Sequence, residues 1–223
     1  TNSQLDPSFL QPRAYHRASF LLQLTIADRL LKLVLLCQLF FCFYSRQKMV
    51  FFRLYIKMHP FFDTSFQPFV HRGDSVNFTE NTLEAFQDAV DLGYQYIETD
   101  LRMTKDGVIV TFHDENIFRV SGVQKKICDL TYDELTKVPL IKGGHIPSLT
   151  EVMEQFPDTK FNVDLKVDGL VTKVANIIDG HNAYERICIA SFNTRALRAF
   201  KTLRNQACIS MGILDVIFFK LFN

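Results

Sequence analysis

From Pro68 to the end of the chain, short apolar runs alternate with longer segments in which apolar residues recur every three or four positions. Short apolar runs predict strands, and the three-to-four periodicity predicts amphipathic helices. Strands that alternate with helices favour a parallel sheet joined by right-handed crossovers. The six predicted strands are, in chain order, PFVH, YIETD, VIVTFHD, FNVDLK, RICIAS and CISMG.

Capping residues mark the starts of the predicted helices. Asn81 stands at the N-cap of the first helix with Glu84 three residues later, which is the spacing of a capping box. The apolar residues that follow form one stripe of a helix, and Gly93 marks its end. The same spacing predicts two more helix starts, at Thr131 and at Ser148.

The connection between the second and third strands is too short to contain a helix. It includes the segment TKDG, in which Asp106 and Gly107 mark a tight turn. An antiparallel hairpin explains this connection. If the two strands are parallel instead, LRMTKDG runs back across the sheet as irregular chain, and the sequence leaves both arrangements open.

Four of the predicted strands carry charged residues at or near their C-terminal ends. Buried parallel strands are normally continuous apolar runs, and an unpaired buried charge is energetically unfavourable. The carboxyl ends of parallel strands meet at one edge of the sheet, where α/β proteins bind their ligands. The residues predicted at that edge are His71, Arg72, Glu98, Asp100, His113, Asp164 and Lys166.

The acidic and imidazole side chains of this set suit metal-assisted chemistry. Glu98, Asp100 and Asp164 are hard oxygen ligands of the type that Mg²⁺ or Ca²⁺ prefers. His71 and His113 can act as a general acid and a general base.

The two cations, Arg72 and Lys166, supply positive charge for a phosphate. Each residue also has a structural explanation, since a histidine at a strand end is often an ordinary hydrogen-bonded residue. For the whole set to be structural, such an explanation would have to apply at all four strand ends at once. The combination therefore favours metal-assisted phosphoryl chemistry on a diester.

Residues 1–70 differ in charge from the rest of the chain. They carry eight Lys/Arg against three Asp/Glu, whereas residues 71–223 carry 17 against 21. The run LLKLVLLCQLFFCFY (30–44) is shorter than the roughly 20 residues of a membrane span. Basic residues follow it, so one hypothesis is membrane association through residues 19–57. The alternative is a non-native or unstructured extension.

The whole chain has a net charge of +1 at pH 7, which gives no field that would attract nucleic acid. Its five cysteines form no CxxC pair. That spacing is typical of buried thiols in a reducing compartment rather than of a disulfide framework or a zinc site. We therefore expect a cytoplasmic protein, with membrane association as the alternative.

The order of several short motifs resembles the glycerophosphodiester phosphodiesterase family. Members share His-Arg-Gly, then Glu-Asn-Thr opening a helix, Glu-x-Asp, Thr-Lys-Asp-Gly and a closing His-Asp. The corresponding motifs here are HRG (71–73), ENT (80–82), ETD (98–100), TKDG (104–107) and HD (113–114). The segments DLTYDEL, IPSLTEVM, FNVDLK and IASFN extend the resemblance over about residues 58–211.

This resemblance implies a TIM-type (β/α) barrel that hydrolyses glycerophosphodiesters to glycerol 3-phosphate and an alcohol, using a divalent metal, Mg²⁺ or Ca²⁺. The third metal ligand is often Glu in the family, and Asp164 is shorter by one methylene. The roles that the resemblance implies are acid/base catalysis for His71 and His113, phosphate binding for Arg72 and Lys166, and metal binding for Glu98, Asp100 and Asp164.

The length of the chain departs from the family pattern. A complete (β/α)₈ barrel takes about 250 residues, and about 155 remain from Phe69 onward. We therefore expect about six of the eight strands, in a C-terminally truncated domain over residues 58–223 that follows an extension over residues 1–57. An unclosed barrel would expose two strand edges.

Three functions are consistent with the sequence. The first is metal-dependent hydrolysis of a small glycerophosphodiester, which the full set of ionisable residues favours. The second is a catalytically inactive truncated fragment that acts as a membrane-associated or interaction protein. The third is a sphingomyelinase D-like phospholipase that acts on intact lipids. The leaving-group alcohol and the oligomeric state stay open.

Overall fold

The computed structural model describes residues 59–62, 68–210 and 212. The two hypotheses for residues 19–57 lie outside the described residues, and the domain boundary at residue 57 stays a prediction. In the described part of the chain, none of the helices combines the length and apolar composition needed to cross a bilayer.

The described residues form one six-stranded sheet with helices between most of its strands. The strands are β1 (Phe69–His71), β2 (Tyr96–Met103), β3 (Ile109–Thr111), β4 (Lys160–Leu165), β5 (Ile187–Ala190) and β6 (Cys208–Ile209). The α-helices are α1 (Leu83–Asp91), α2 (Phe118–Ser121), α3 (Tyr132–Thr136), α4 (Leu149–Gln155), α5 (Leu170–Gly180) and α6 (Thr194–Leu203). All six predicted strands are present, and β3 is shorter than predicted.

The parallel α/β fold expected from the sequence is confirmed for five of the strands, which lie in the order β1-β2-β4-β5-β6. The sixth strand, β3, pairs antiparallel with the end of β2, where Leu101 lies opposite Thr111. The hairpin alternative is therefore correct, and β3 does not belong to the parallel series. Gly107 has a φ of 84° in the turn, a conformation that favours glycine.

One face of the sheet, here called the helix face, packs against the helices. Ile97, Leu101, Phe161 and Val163 are fully buried there, in one cluster with apolar residues of α1, α4, α5 and α6. The opposite face, here called the site face, carries the residues that alternate with these along β2 and β4, because successive side chains of a strand point to opposite sides.

The lower half of the site face, toward the N-terminal ends of the strands, is apolar. Phe61 and Tyr96 pack there with Cys188 and Cys208, which lie opposite each other on β5 and β6. Both thiols are buried and free, as predicted, whereas Cys128 is free but exposed, so the expectation of burial is wrong for it. The other two cysteines lie outside the described residues.

The structure corrects one helix start. The N-cap of α1 is Thr82, whose side chain accepts a hydrogen bond from the backbone N–H of Ala85, and not Asn81 as predicted. Asn81 is fully buried with a φ of 60°, and its side chain is bonded elsewhere. The capping boxes predicted at Thr131 and Ser148 are both present.

Candidate active site

Four oxygen-bearing side chains form a compact array on the site face. In the parallel register of β2 and β4, Glu98 lies opposite Asn162 and Asp100 lies opposite Asp164. Neighbouring strands are about 4.8 Å apart, and residues two apart on one strand are roughly 6.6 Å apart. The two strands therefore bring four polar side chains within reach of one another.

Each member of this array has a buried oxygen without a hydrogen-bond partner. Asp100 Oδ1 lacks hydrogen-bond geometry although Lys166 Nζ lies 2.9 Å from it. Lys166 Nζ also donates to Asp164 Oδ2 over 2.7 Å. A native interior normally satisfies its polar atoms, so a cluster of this kind indicates a ligand or ion. The atoms are Glu98 Oε2, Asp100 Oδ1, Asn162 Oδ1 and Asp164 Oδ1.

Glu98 has the most strongly perturbed carboxyl group of the array. Burial, and then the negative charge of Asp100, raise its pKa to about 8. The nearest cationic partner that the structure gives for it is His71, whose Nε2 atom lies 3.7 Å from Glu98 Oε2. Burial, followed by the charge of Arg72, lowers the pKa of His71. Glu98 therefore lacks the neutralising charge that a buried carboxylate needs.

The array fits a hard divalent cation by its chemistry. In the described part of the chain, no three His, Cys, Asp or Glu side chains are already grouped so as to hold a metal ion. The ammonium of Lys166 lies instead between Asp100 and Asp164. Nevertheless, three carboxylates and an amide oxygen are the donors that Mg²⁺ and Ca²⁺ take, and each of the four side chains has a buried oxygen that makes no hydrogen bond.

Arg72 is placed beside the array and is already paired. Its Nη1 atom donates to Glu80 Oε1 over 2.9 Å, and its Nε atom lies 2.9 Å from Asp100 Oδ2. Its backbone has a φ of 62°. At the next residue, Gly73, a Cβ atom would lie 2.5 Å from the carbonyl oxygen of Ala85. A glycine is therefore required there by the close approach of α1.

Lys166 directly follows β4. Burial opposes its charge, but the hydrogen bond to Asp164 and the ion pair with Asp100 outweigh burial and raise its pKa. Lys166 Nζ also lies 5.6 Å from the centre of the Phe192 ring. The predicted phosphate-binding cations are therefore both present at the site, each held by carboxylates.

His113 lies two residues beyond the end of β3. Its Nδ1 atom is 2.7 Å from Asp114 Oδ1, and its backbone carbonyl accepts a hydrogen bond from Arg102 Nε. Its side chain is 37% exposed, and that of His71 is 58% exposed. Both histidines can thus meet a substrate, and His113 is near enough to affect the charge of His71.

Sequence reasoning did not assign site roles to three residues that the structure places at or beside the site. Glu80 accepts from both Arg72 and Arg119. Asn81 accepts from Thr99 Oγ1 at 2.7 Å and donates to Asp100 Oδ2 at 3.3 Å. The Glu-Asn-Thr motif contains Glu80 and Asn81 and is the sequence signal that could have indicated both, although its spacing alone predicts only a helix start. Asn162 carries no comparable signal.

Exposed apolar side chains lie in the connections that follow β1, β3 and β5. Val76 follows β1, and Phe118 and Ile141 lie between β3 and α4. Phe192 follows β5 and is 72% exposed, next to Lys166. The loop segments around Val76 and Ile141 are connected, since Lys142 Nζ donates to the carbonyl of Val76.

Comparison with protein families matches residues 71–213 to the Glycerophosphoryl diester phosphodiesterase family. A glycerophosphodiester phosphodiesterase of Caldanaerobacter subterraneus is 36% identical over 147 residues, covering 60% of this chain and 60% of that protein. The human lysophospholipase D GDPD1 is 39% identical over 127 residues, covering 50% of this chain and 40% of that protein.

Among solved structures, the glycerophosphodiester phosphodiesterase of Thermotoga maritima is 33% identical with a TM-score of 0.54. The alignment covers 60% of this chain and 58% of that one. A related protein from Galdieria sulphuraria gives a TM-score of 0.56 at 28% identity, and the alignment covers 63% of this chain and 62% of that one. These likenesses confirm the TIM-type barrel fold, of which this chain carries part. The chain spans less than two thirds of the length of each of these relatives.

Proposed function

This chain belongs to the glycerophosphoryl diester phosphodiesterase family, and we propose that it hydrolyses a glycerophosphodiester to glycerol 3-phosphate and an alcohol with the help of Mg²⁺ or Ca²⁺. The observation that carries the proposal is the array of buried oxygens on β2 and β4 that make no hydrogen bond, with His71, Arg72 and Lys166 around it. A buried cluster of carboxylates is stable only with compensating charge, and a divalent ion supplies it.

Glu98, Asp100 and Asp164 would hold the metal, with Asn162 facing the same place. A metal bound there supplies positive charge that polarises a phosphoryl oxygen. Lys166 and Arg72 each belong to an ion pair with Asp100. A metal that took over Asp100 and Asp164 would weaken these ion pairs and make both cations available to the phosphate, while Arg72 keeps its contact with Glu80.

The two histidines would divide the proton transfers. Asp114 Oδ1 lies 2.7 Å from His113 Nδ1 and orients the imidazole, which leaves Nε2 to give a proton to the departing alcohol. His71 is then left to take a proton from the attacking oxygen. The products balance as one diester and one water giving glycerol 3-phosphate and one alcohol.

The test is the release of glycerol 3-phosphate from glycerophosphocholine by the purified chain, with Mg²⁺, with Ca²⁺ or with excess EDTA. We expect release that depends on the metal and that falls by about 10²- to 10⁴-fold in His71→Ala and in His113→Ala, the usual contribution of an acid or base. Both variants should keep the melting temperature of the parent, because both side chains are partly exposed.

Two results would contradict the proposal. One is full activity in EDTA, which would remove the metal from the reaction. The other is a folded wild-type chain that releases no glycerol 3-phosphate under any condition. That second result would favour the inactive-fragment alternative.

A second candidate substrate is a lysophospholipid, which carries an acyl chain beside the diester. The exposed ring of Phe192 favours it, because this ring offers apolar surface beside Lys166 at the site. The human relative is named a lysophospholipase D. Lysophosphatidylcholine turnover should then fall in Phe192→Ala while glycerophosphocholine turnover changes little. Equal effects on both substrates would exclude a role for Phe192 in binding the acyl chain.

A further inference from the structure

The guanidinium of Arg119 joins two carboxylates that come from different loops. Its Nη1 and Nη2 atoms donate to the two oxygens of Glu80, over 3.0 and 2.7 Å. Its Nε atom donates to Asp114 Oδ2 over 2.6 Å. Arginine presents its donors in a rigid planar fork, so contact with both carboxylates fixes their relative position.

Each of these carboxylates also binds a residue of the candidate site. The other oxygen of Asp114 lies 2.7 Å from His113 Nδ1. Glu80 Oε1 accepts from Arg72 Nη1 over 2.9 Å. Through Arg119, a continuous series of short polar contacts therefore connects His113 with Arg72.

We propose that Arg119 is a positioning residue that holds His113 and Arg72 in a fixed relative orientation. The inference rests on the proposed function, in which His113 transfers a proton and Arg72 binds the phosphate. Arg119 itself need not touch the substrate, because it acts through Glu80 and Asp114.

The backbone supplies only part of this alignment. Glu80 lies in the connection between β1 and α1, and His113 and Asp114 lie beyond the end of β3. Among the described strands, β1 pairs with β2 only, and β3 pairs antiparallel with the end of β2 only. The backbone N–H groups of Arg72 and Phe112 continue these ladders, since they donate to the carbonyls of Glu98 and Asp100 on β2. Glu80, Asp114 and Arg119 lie beyond the ladders, so their side-chain contacts set the final orientation of the two loops.

The charge states of the Glu80 and Asp114 carboxylates favour their hydrogen bonds with Arg119 at neutral pH. Burial raises the pKa of Glu80, but Arg119 and then Arg72 outweigh it, and the net pKa is lowered. Burial likewise opposes the charge of Asp114, and the hydrogen bonds from Arg119 and His113 lower its pKa overall. Both groups are therefore ionised at neutral pH. Asp114 in turn favours a proton on His113 Nδ1, which leaves Nε2 to face a substrate.

The test compares Arg119→Met and Arg119→Lys with a matched control, Arg204→Met. Arg204, which directly follows α6, also makes several hydrogen bonds to one carboxylate, that of Asp179 in α5, away from the site. We expect kcat to fall about 10- to 100-fold in Arg119→Met, with a smaller change in KM, because misplacing a catalytic group by about 1 Å has effects of that size. Arg204→Met should keep the kcat of the parent.

Arg119→Lys keeps the charge but loses the fork, so its kcat should also fall. Added guanidinium ion should restore part of the kcat of Arg119→Ala, which a merely structural role would not predict. Wild-type kcat in both Arg119→Met and Arg119→Lys would overturn the inference. An equal loss of kcat in Arg204→Met would overturn it too, because the effect would then be general destabilisation.

A second measurement does not depend on turnover. In ¹⁵N-labelled protein, the imidazole signals of His113 should show a proton held on Nδ1, and Arg119→Met should shift them toward a mixture of tautomers. Unchanged imidazole signals in that variant would overturn the inference. If the wild-type chain hydrolyses no diester, the proposed function fails, but the imidazole signals still decide whether Arg119 positions His113.

Discussion

The two faces of the sheet use the same strands in opposite ways. On the helix face, Phe161 and Val163 are fully buried among apolar residues of four helices. On the site face, their neighbours Asn162 and Asp164 carry oxygens that are buried and have no hydrogen-bond partner. Along β4, successive residues therefore alternate between side chains that are fully packed and side chains with a buried oxygen that has no hydrogen-bond partner.

This contrast separates the source of stability from the source of function. Apolar burial on the helix face stabilises the fold by about 25 cal/mol for each Å² removed from water. Buried polar atoms without hydrogen-bond partners destabilise the fold, unless an ion or a ligand binds to them. The helix face thus offsets the unfavourable energy of the site face, and substitutions on the two faces should have different consequences.

The largest expected effect is a loss of stability in Phe161→Ala. The Phe161 ring is fully buried and lies 5.6 Å from the ring centre of Phe86. Its removal should lower the free energy of unfolding by about 3–5 kcal/mol. The neighbouring change Asn162→Ala should lower it by less than about 1 kcal/mol, because an unsatisfied polar group is lost with it.

Urea denaturation of the two variants measures the difference between the faces. The catalytic rate of each folded molecule gives a second comparison, in which Asn162→Ala should lose more than Phe161→Ala. Similar losses of stability in both variants would contradict the contrast between the faces.

A smaller effect concerns the charge of Glu98. Its pKa is raised from 4.5 to about 8 in the folded protein, so the folded state keeps a proton that the unfolded state releases. This contribution to stability is present in full below pH 4.5 and is lost as the pH rises to about 8. In EDTA, Glu98→Gln should therefore gain stability relative to the wild type over that range, by on the order of a few kcal/mol.

Thermal unfolding between pH 5 and pH 8 tests this expectation. Added Mg²⁺ or Ca²⁺ should raise the melting temperature of the wild type more than that of Glu98→Gln, because the metal ion neutralises the negative charge of the Glu98 carboxylate. A stability difference that does not change with pH would show that Glu98 is not the unpaired group.

The smallest expected effect is at the start of α1, which packs on the helix face. Thr82→Ala removes the side-chain cap and should lower the free energy of unfolding by about 1 kcal/mol. Glu84→Ala serves as the control, because the structure assigns the cap to Thr82 rather than to a box of Asn81 and Glu84. A larger loss in Glu84→Ala than in Thr82→Ala would favour the start that the sequence predicted.

Local rules predicted much of this fold. The capping boxes at Thr131 and Ser148 depend on side chains three residues apart, so the sequence contains all their partners. The strands were visible as apolar runs for the same reason. Asn81 was misassigned because its partners, Thr99 and Asp100, are 18 and 19 residues away.

The sequence by itself determined which chemical groups meet at the carboxyl ends of the strands, because alternation along β2 and β4 places Glu98, Asp100 and Asp164 on one face. Only the tertiary structure decided how these groups are paired. The contacts of Arg119 with Glu80, 39 residues away, and of Lys166 with Asp100 depend on strand register and loop conformation. The physical reason is that local patterns fix the direction of a side chain, whereas charge pairing depends on distances that only the folded chain sets.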